Sequence, residues 1–144
     1  MGNTGSVEHD EERIRAQHFY LESEESGLYL GVGDQGRLEV SMIGQGSLDA
    51  FLWKKDGNMI RNLGGGVMDI ADGRREAGAR VITYPDHGGK NQQWSWEDGQ
   101  LVSRLAGLVL QGGEGGQVVM AARGGQGQVW RQEHQGEHFI LLRK

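Results

Sequence analysis

The stretch Asn91-Gln92-Gln93-Trp94 has a near copy at Gly127-Gln128-Val129-Trp130, and both stretches carry a Gln-x-Trp triplet. A more distant copy, Ala50-Phe51-Leu52-Trp53, keeps only the tryptophan. The three tryptophans are separated by 41 and 36 residues. Self-similarity at a nearly constant period is typical of repeat architectures. The sequence therefore predicts three related units.

Glycine is the outlier in the composition, with 26 copies among 144 residues and a single proline. So much glycine disfavours long helices and favours tight turns between short strands. Hydrophobic residues make up 36% of the chain and charged residues 24%, as in a globular protein rather than a disordered one. The length suits one domain with one core.

Short apolar runs bounded by turn residues recur in each unit, with Asp56-Gly57 and Asp98-Gly99 as hairpin turns. No unit can bury its own apolar face, so three units must share a core. We predict an all-β chain, a β-trefoil of three four-stranded repeats with pseudo-threefold symmetry. The repeats cover about residues 17–60, 61–101 and 102–144, after a flexible acidic tail over residues 1–16. The repeated tryptophans are expected to fill the shared core.

Several function classes are disfavoured by the composition. The net charge is −5 and no basic cluster stands clear of acidic residues, so we expect no nucleic acid partner. No apolar run could span a bilayer and none resembles a secretory leader, so we expect no membrane insertion. The absence of cysteine excludes disulfides and fits a cytoplasmic or non-classically secreted protein. Met1-Gly2 opens a loose N-myristoylation consensus, but the acidic residues that follow favour an unmodified Gly2.

Catalytic and metal sites also lack sequence support. No Ser/His/Asp arrangement or acid pair sits in a recognisable context, so we expect no enzymatic activity and no cofactor. His134 and His138 have the spacing of metal ligands on a helix, but Gly136 places them around an expected turn. We therefore expect no metal site.

The units differ in three aligned columns, where polar side chains occur together in the second unit alone. The register is set by the glycine before each second strand, which matches Met68 with Leu30 and Leu110. The three columns are Asp69 against Gly31 and Gln111, Asn91 against Ala50 and Gly127, and Gln92 against Phe51 and Gln128.

These residue types suit a neutral sugar, which offers adjacent hydroxyls and one apolar C–H face. The carboxylate of Asp69 can accept strong hydrogen bonds from two hydroxyls, and the amide of Asn91 can donate to one of them. A ring from Tyr84 or His87 can lie against the C–H face. Asp69, Asn91 and Gln92 each also have a structural explanation, a turn or a backbone contact, and for each residue taken singly that explanation is favoured. Their convergence in one unit nevertheless favours a binding site.

The run Val67-Met68-Asp69-Ile70, followed by Tyr84 and by Asn91-Gln92-Gln93-Trp94, resembles the ricin B-type β-trefoil lectins, over about residues 17–144. The resemblance implies a galactose or N-acetylgalactosamine site. Its predicted residues are Asp69, Asp72, Tyr84, His87, Asn91 and Gln92. Ile82 departs from the family pattern, in which that position is often polar. The matching positions of the first and third units are expected to bind no sugar.

The leading hypothesis is thus a non-catalytic lectin with one site in the second repeat. A single small site of this kind binds weakly, on the order of millimolar. A homodimer would supply the avidity that one site lacks. The alternative is an intracellular protein-interaction module without sugar binding, because Gly27–Val40 is similar to units of fascin-like actin-crosslinking trefoils. Service as the sugar-binding part of a larger enzyme ranks below both.

Overall fold

Short antiparallel strands dominate the computed structural model, which describes residues 13–44 and 47–134. Twelve strands occur in this part of the chain. They are β1 (Phe19–Ser23), β2 (Tyr29–Val32), β3 (Leu38–Ser41), β4 (Trp53–Asp56), β5 (Met59–Asn62), β6 (Val67–Ile70), β7 (Val81–Tyr84), β8 (Trp94–Glu97), β9 (Gln100–Ser103), β10 (Val109–Gly112), β11 (Val118–Ala121) and β12 (Trp130–His134).

Six of these strands form a closed barrel in the order β1-β4-β5-β8-β9-β12. Ladders join β1 to β12, β4 to β5 and β8 to β9, and Phe19 pairs with Trp53 between β1 and β4. The remaining two junctions are made at the tryptophans. The backbone N–H of Trp94 donates to the Asn58 carbonyl and that of Trp130 to the Gly99 carbonyl, both at 2.8 Å.

Three hairpins, β2–β3, β6–β7 and β10–β11, cap one end of the barrel. They meet one another in a cycle of isolated bridges that repeats around the pseudo-threefold axis. The bridges are Arg37 to Ile82, Arg80 to Val119 and Gln117 to Glu39. The predicted all-β class and β-trefoil fold are confirmed.

The hairpin turns follow from the local sequence. Asp98 and Gly99 connect β8 to β9 and both have positive φ, 51° and 81°. That conformation matches the twist of the flanking strands, and Asp-Gly adopts it at low cost. In the matching turn between β4 and β5, Gly57 has a φ of 62°.

The three repeated tryptophans occupy equivalent places in the core. Trp53, Trp94 and Trp130 are 0%, 2% and 1% exposed. Each indole N–H donates to a backbone carbonyl of the second strand of its own repeat, at 3.0–3.1 Å. The three carbonyls belong to Leu30, Met68 and Leu110. The predicted core role and the predicted register of the repeats are therefore confirmed.

Part of the N-terminal segment can be described. Residues 13–16 form a helical turn, and Arg15 lies 3.7 Å from a carboxylate oxygen of Asp49. Residues 1–12, with Gly2, and residues 135–144, with His138, lie outside the described residues. The mobility of the tail and the outer repeat boundaries stay predictions. None of the helices in the described ranges is long and apolar enough to cross a membrane.

Candidate functional site

An open cleft of about 400 Å³ lies on the second repeat, on the outer side of the β6–β7 hairpin. It collects five of the six residues that the sequence predicts for sugar binding; its lining consists of Asp69, Asp72, Gly73, Ile82, Tyr84, His87 and Asn91. The sixth, Gln92, lies behind this surface and is fully buried. The predicted residues thus meet in space although they span 23 positions of the chain.

Asp69 is the buried centre of the cleft, with 3% of its surface exposed. Its Oδ1 accepts from Asn91 Nδ2 at 3.2 Å, and its Oδ2 accepts from Gln92 Nε2 at 2.8 Å. A carboxylate has about four acceptor positions, so these two bonds leave acceptor capacity for a ligand. The carboxylate is therefore fixed in orientation and still able to bind hydroxyls.

Gln92 connects this carboxylate to the backbone of the following loop. Its Nε2 also donates to the Pro85 carbonyl at 3.0 Å, while its Oε1 accepts from the backbone N–H groups of His87 and Gly88 at 2.9 and 3.2 Å. Every polar position of its amide is used within the protein. The predicted structural role of Gln92 agrees with these contacts, and any effect on a ligand acts through Asp69.

Asn91 stands at the edge of the cleft in a 3-10 turn, Lys90–Gln92. Its Nδ2 donates both to Asp69 and to the Ile70 carbonyl at 3.1 Å, so both amide protons are committed. The carbonyl oxygen of the Asn91 amide is directed toward Gly89, where an added Cβ would lie 2.7 Å from it. Asn91 therefore holds Asp69 rather than pointing a free donor into the cleft.

The aromatic wall of the cleft consists of Tyr84 and His87, whose ring centroids are 6.1 Å apart at an interplanar angle of 71°. Tyr84 is 51% exposed. Gly89 N–H donates to His87 Nδ1 at 3.0 Å, so in neutral His87 the proton lies on Nε2. That Nε2 lies 3.6 Å from Asp69 Oδ2. The two rings therefore present different chemistry to the cleft, since Tyr84 is exposed and His87 Nε2 faces Asp69.

A salt bridge holds the loop that carries His87. Arg61 on β5 contacts Asp86 at 3.2 Å and Asp56 at 2.9 Å. Both pairs are substantially exposed, so each is worth about 0–1 kcal/mol. Together with the buried amide of Gln92, they fix both ends of the segment between β7 and β8.

Asp72 approaches the cleft from the β6–β7 connection. It has a φ of 59° within the turn Ala71–Gly73, a conformation that asparagine and aspartate tolerate better than other non-glycine residues. This connection covers residues 71–80, whereas the equivalent connections cover residues 33–37 and 113–117. The longer loop is specific to the second repeat.

The electrostatic state of Asp69 follows from its burial. Desolvation raises the pKa of Asp69 above its ordinary 3.8, against the opposing effects of Gln92, His87 and Asn91, which favour the charged form. The charged form of a buried carboxylate of this kind is stabilised when further hydroxyl groups donate hydrogen bonds to it.

In the first repeat, Phe51 packs over the position equivalent to Asp69. Phe51 replaces Gln92 and Gly31 replaces Asp69 in the aligned register. A Cβ added at Gly31 would lie 2.7 Å from Cε1 of Phe51, so the ring packs directly on the glycine backbone. The first repeat therefore lacks the acceptor, and the Phe51 ring covers the backbone where the Asp69 side chain would begin.

This packing predicts that Gly31→Ala destabilises the protein by about 1–2 kcal/mol, because the ring must move outward. The measurement is the free energy of unfolding in urea. Gly113→Ala is the matched control, since Gly113 has a φ of −110° and its nearest neighbour is at 3.7 Å. The penalty should shrink in a Phe51→Ala background; an equal penalty there would contradict the proposed contact.

The third repeat keeps the scaffold but not the charge. Gln128 is 2% exposed, and its Nε2 donates to Gln111 Oε1 at 3.0 Å, as Gln92 donates to Asp69. Gly127 stands in place of Asn91. A cleft of about 590 Å³ lies beside Gln111, but its central acceptor is a neutral amide. The prediction that the first and third repeats bind no sugar stays a prediction, and both geometries agree with it.

Two features of the site were missed at the sequence level. The first is Gly73, which follows Asp72 in the turn and lines the cleft. The second is the packing of the Phe51 ring on Gly31 in the first repeat. The alignment of Phe51 with Gln92 and Gln128 can be read from the sequence. Only the structure places the Phe51 ring on Gly31.

No protein-family model matches the chain, and no curated protein matches it. Solved structures do match. The designed threefold-symmetric protein ThreeFoil is 26% identical, with a TM-score of 0.67, over 81% of this chain and 98% of that one.

Two natural lectins are similar in fold at lower identity. The β-trefoil lectin of the Vibrio vulnificus hemolysin/cytolysin, solved with N-acetyl-D-lactosamine, is 18% identical, with a TM-score of 0.69, over 83% of this chain and 95% of that one. The C-terminal half of an earthworm R-type lectin, solved with GalNAc, is also 18% identical, with a TM-score of 0.62, over 83% and 99%. The chain therefore has the β-trefoil fold that these lectins share.

Proposed function

We propose that this protein is a non-catalytic lectin of the ricin B type that binds galactose or N-acetylgalactosamine through the cleft of the second repeat. The observation that carries the proposal is the Asp69 carboxylate, held by two amides at the base of an open cleft beside an exposed aromatic ring. The trefoil lectins of similar fold were solved with glycans bound, which supports a sugar as the ligand class.

Each part of a galactose-type sugar has a complement in this cleft. Two adjacent hydroxyls donate to the free acceptor positions of Asp69, and charge assistance strengthens both bonds. Asn91 turns one of its donors from the protein to the same sugar oxygen. The exposed face of Tyr84 packs on the C–H face of the ring, and His87 Nε2–H donates from the side. Ile82 adds an apolar contact at a position where a polar one is often found.

A single open site of this size binds on the order of millimolar. Avidity then comes from a second copy of the chain or from a multivalent glycan. We expect soluble monosaccharide to elute the protein easily from a dense galactose matrix.

The test is retention on immobilised galactose and elution by free galactose, with glucose as the control sugar. The fascin-like alternative is tested in parallel by co-sedimentation with actin filaments. Retention supports the lectin proposal if free galactose reverses it and glucose does not. Co-sedimentation without sugar-reversible retention would replace the proposal with the alternative.

As the pH falls, sugar binding should weaken at a higher pH than it would if Asp69 had the ordinary pKa of an aspartate. The raised pKa of Asp69 means that its carboxylate, the proposed acceptor, is lost as pH falls through a value above 3.8. Folding responds with the opposite sign: an acid whose pKa is raised on folding loses stability as pH rises through the folded pKa, so protonating Asp69 stabilises the fold. Protonation of Asp69 should therefore weaken sugar binding without unfolding the protein.

The measurement is the dissociation constant for galactose from pH 7 down to pH 3.5, with circular dichroism at each pH. His87 lowers the pKa of Asp69, so His87→Gln should move the midpoint of binding loss to higher pH. A midpoint at or below 3.8, in the wild type, would contradict an essential ionised Asp69.

A further inference from the structure

A second cavity, of about 240 Å³, lies at the cap of the barrel where the three hairpins meet. Its floor includes Leu38, Val81 and Val118, the first residues of β3, β7 and β11, all buried. The residues immediately before these strands, Arg37, Arg80 and Gln117, form its rim. The lining shares no residue with the cleft of the second repeat.

The rim residues are equivalent under the pseudo-threefold axis. Each takes part in one bridge of the cycle that joins the hairpins: Arg37 to Ile82, Arg80 to Val119 and Gln117 to Glu39. The backbone therefore places two arginines and one glutamine around a single axis, and all three line the cavity. The third position of the ring, Gln117, is also able to donate.

Neither guanidinium group has a counter-charge in the described part of the chain. The side chains of Arg37 and Arg80 make no hydrogen bond or ion pair there, whereas Arg61 and Arg123 are each held by carboxylates at 2.9 Å. The nearest acidic residue on these strands is Glu39. Its carboxylate lies against Gly33, where an added Cβ would be 2.7 Å from it, and Glu39 is not part of the cavity lining.

Two arginines at the rim of one cavity give it a positive potential, and neither guanidinium group has a protein acceptor among the described residues. A tetrahedral oxyanion fits the arrangement. Its three outer oxygens have threefold symmetry, and its fourth substituent lies on the axis and points to solvent. Guanidinium groups match phosphate and sulfate oxygens in geometry as well as in charge.

We propose that this axial cavity binds the phosphate or sulfate group of a free ion or an ester, with Arg37 and Arg80 supplying charge and Gln117 a third donor. The rim is exposed, so binding is expected to weaken strongly with ionic strength. The site is independent of the sugar cleft, and neither proposal requires the other.

The test is an NMR titration of the full chain with inorganic phosphate and with inorganic sulfate, at constant ionic strength maintained with chloride. Saturable shifts are expected at the backbone amides of Leu38, Val81 and Val118. Glucose 6-phosphate, with glucose as its control, identifies the source. Tighter binding of this ester than of inorganic phosphate assigns the site to esters, and the reverse assigns it to the free ion.

Substitutions on the rim make the test specific. Arg37→Gln and Arg80→Gln should each weaken phosphate binding about tenfold, and Gln117→Arg should strengthen it about tenfold by completing the ring. Arg104→Gln is the matched control, because Arg104 is exposed, has no side-chain partner among the described residues and lies outside the cavity lining. It should bind phosphate as the wild type does.

The variants that remove charge and the variant that adds charge together keep the test valid if one of them misfolds. If an arginine variant fails to fold, Gln117→Arg still tests the site, since it adds charge without removing a native side chain from the floor. The proposal is overturned if chloride alone produces the same shifts, if folded Arg37→Gln and Arg80→Gln bind phosphate like the wild type, or if Gln117→Arg binds no more tightly.

Discussion

Asp69→Asn is expected to reduce galactose affinity about a hundredfold, below the detection limit of a millimolar site. The substitution keeps the size of the side chain and replaces one acceptor oxygen with a donor. The remaining oxygen can still accept from Gln92, which makes the shorter of the two bonds, at 2.8 Å. The NH₂ group then faces Asn91, and the cleft loses the charge and the free acceptor positions together.

Asparagine is a better choice here than alanine because Asp69 is 3% exposed and has two amide partners. Alanine would leave a cavity and would remove an acceptor from buried donors, so loss of binding would be mixed with loss of stability. Asparagine also removes a desolvated charge, which offsets part of the lost bonding. We expect the thermal midpoint to change by no more than a few degrees.

Gln111→Ala is the matched control, at the equivalent position of the third repeat. It should leave galactose affinity unchanged, since the neutral amide of Gln111 already contacts Gln128 and no asparagine stands beside it. Calorimetric or NMR titration of both variants checks the pair. Equal loss of affinity in the two variants would contradict a single site in the second repeat.

Trp94→Ala should have the largest effect on stability, a loss of about 3–5 kcal/mol for the buried ring. The Met68 carbonyl would lose its indole donor as well, at a further cost of about 1 kcal/mol. Domains of this kind are stable by only about 5–15 kcal/mol, so much of the total is removed. The measurement is the free energy of unfolding from urea titration.

Trp96→Ala serves as the comparison, because Trp96 is half-buried and packs on the edge of the core rather than within it. Its loss should cost about 1–2 kcal/mol. Trp53→Ala and Trp130→Ala should resemble Trp94→Ala, since all three indoles make the same contact. If Trp94→Ala lowered the free energy of unfolding no more than Trp96→Ala does, the role of the three tryptophans as a shared core would be contradicted.

The fold was predictable because the information that specifies it is local and repeated. The spacing of Trp53, Trp94 and Trp130 defined the repeat, and the glycine before each second strand defined the register. That register placed Leu30, Met68 and Leu110 in one column, and the indole hydrogen bonds join each tryptophan to its own member of that column.

The candidate site was only partly predictable, for a physical reason. Comparison of columns identifies which side chains are unusual, and it selected Asp69, Asn91 and Gln92, of which the first two share a cleft with Tyr84. It could not tell that Gln92 lies behind Asp69 rather than beside it, because burial depends on how the following loop folds back. The backbone of His87 and Gly88 and the carbonyl of Pro85 enclose that amide.

The axial cavity was beyond sequence reasoning altogether. Arg37 and Arg80 are 43 residues apart and belong to different hairpins. Nothing in their local sequence indicates that strand pairing across the axis brings them to one rim. Only the closed cycle of bridges between the hairpins shows it.

We propose that the protein has one sugar site and that this site lies at Asp69. The most direct measurement is a titration of isotopically labelled protein with N-acetylgalactosamine, followed at every backbone amide. We expect saturable shifts confined to the second repeat, around Asp69, Tyr84, His87 and Asn91. Shifts centred on Gln111 or Gly31, or no shifts at concentrations well above millimolar, would contradict it.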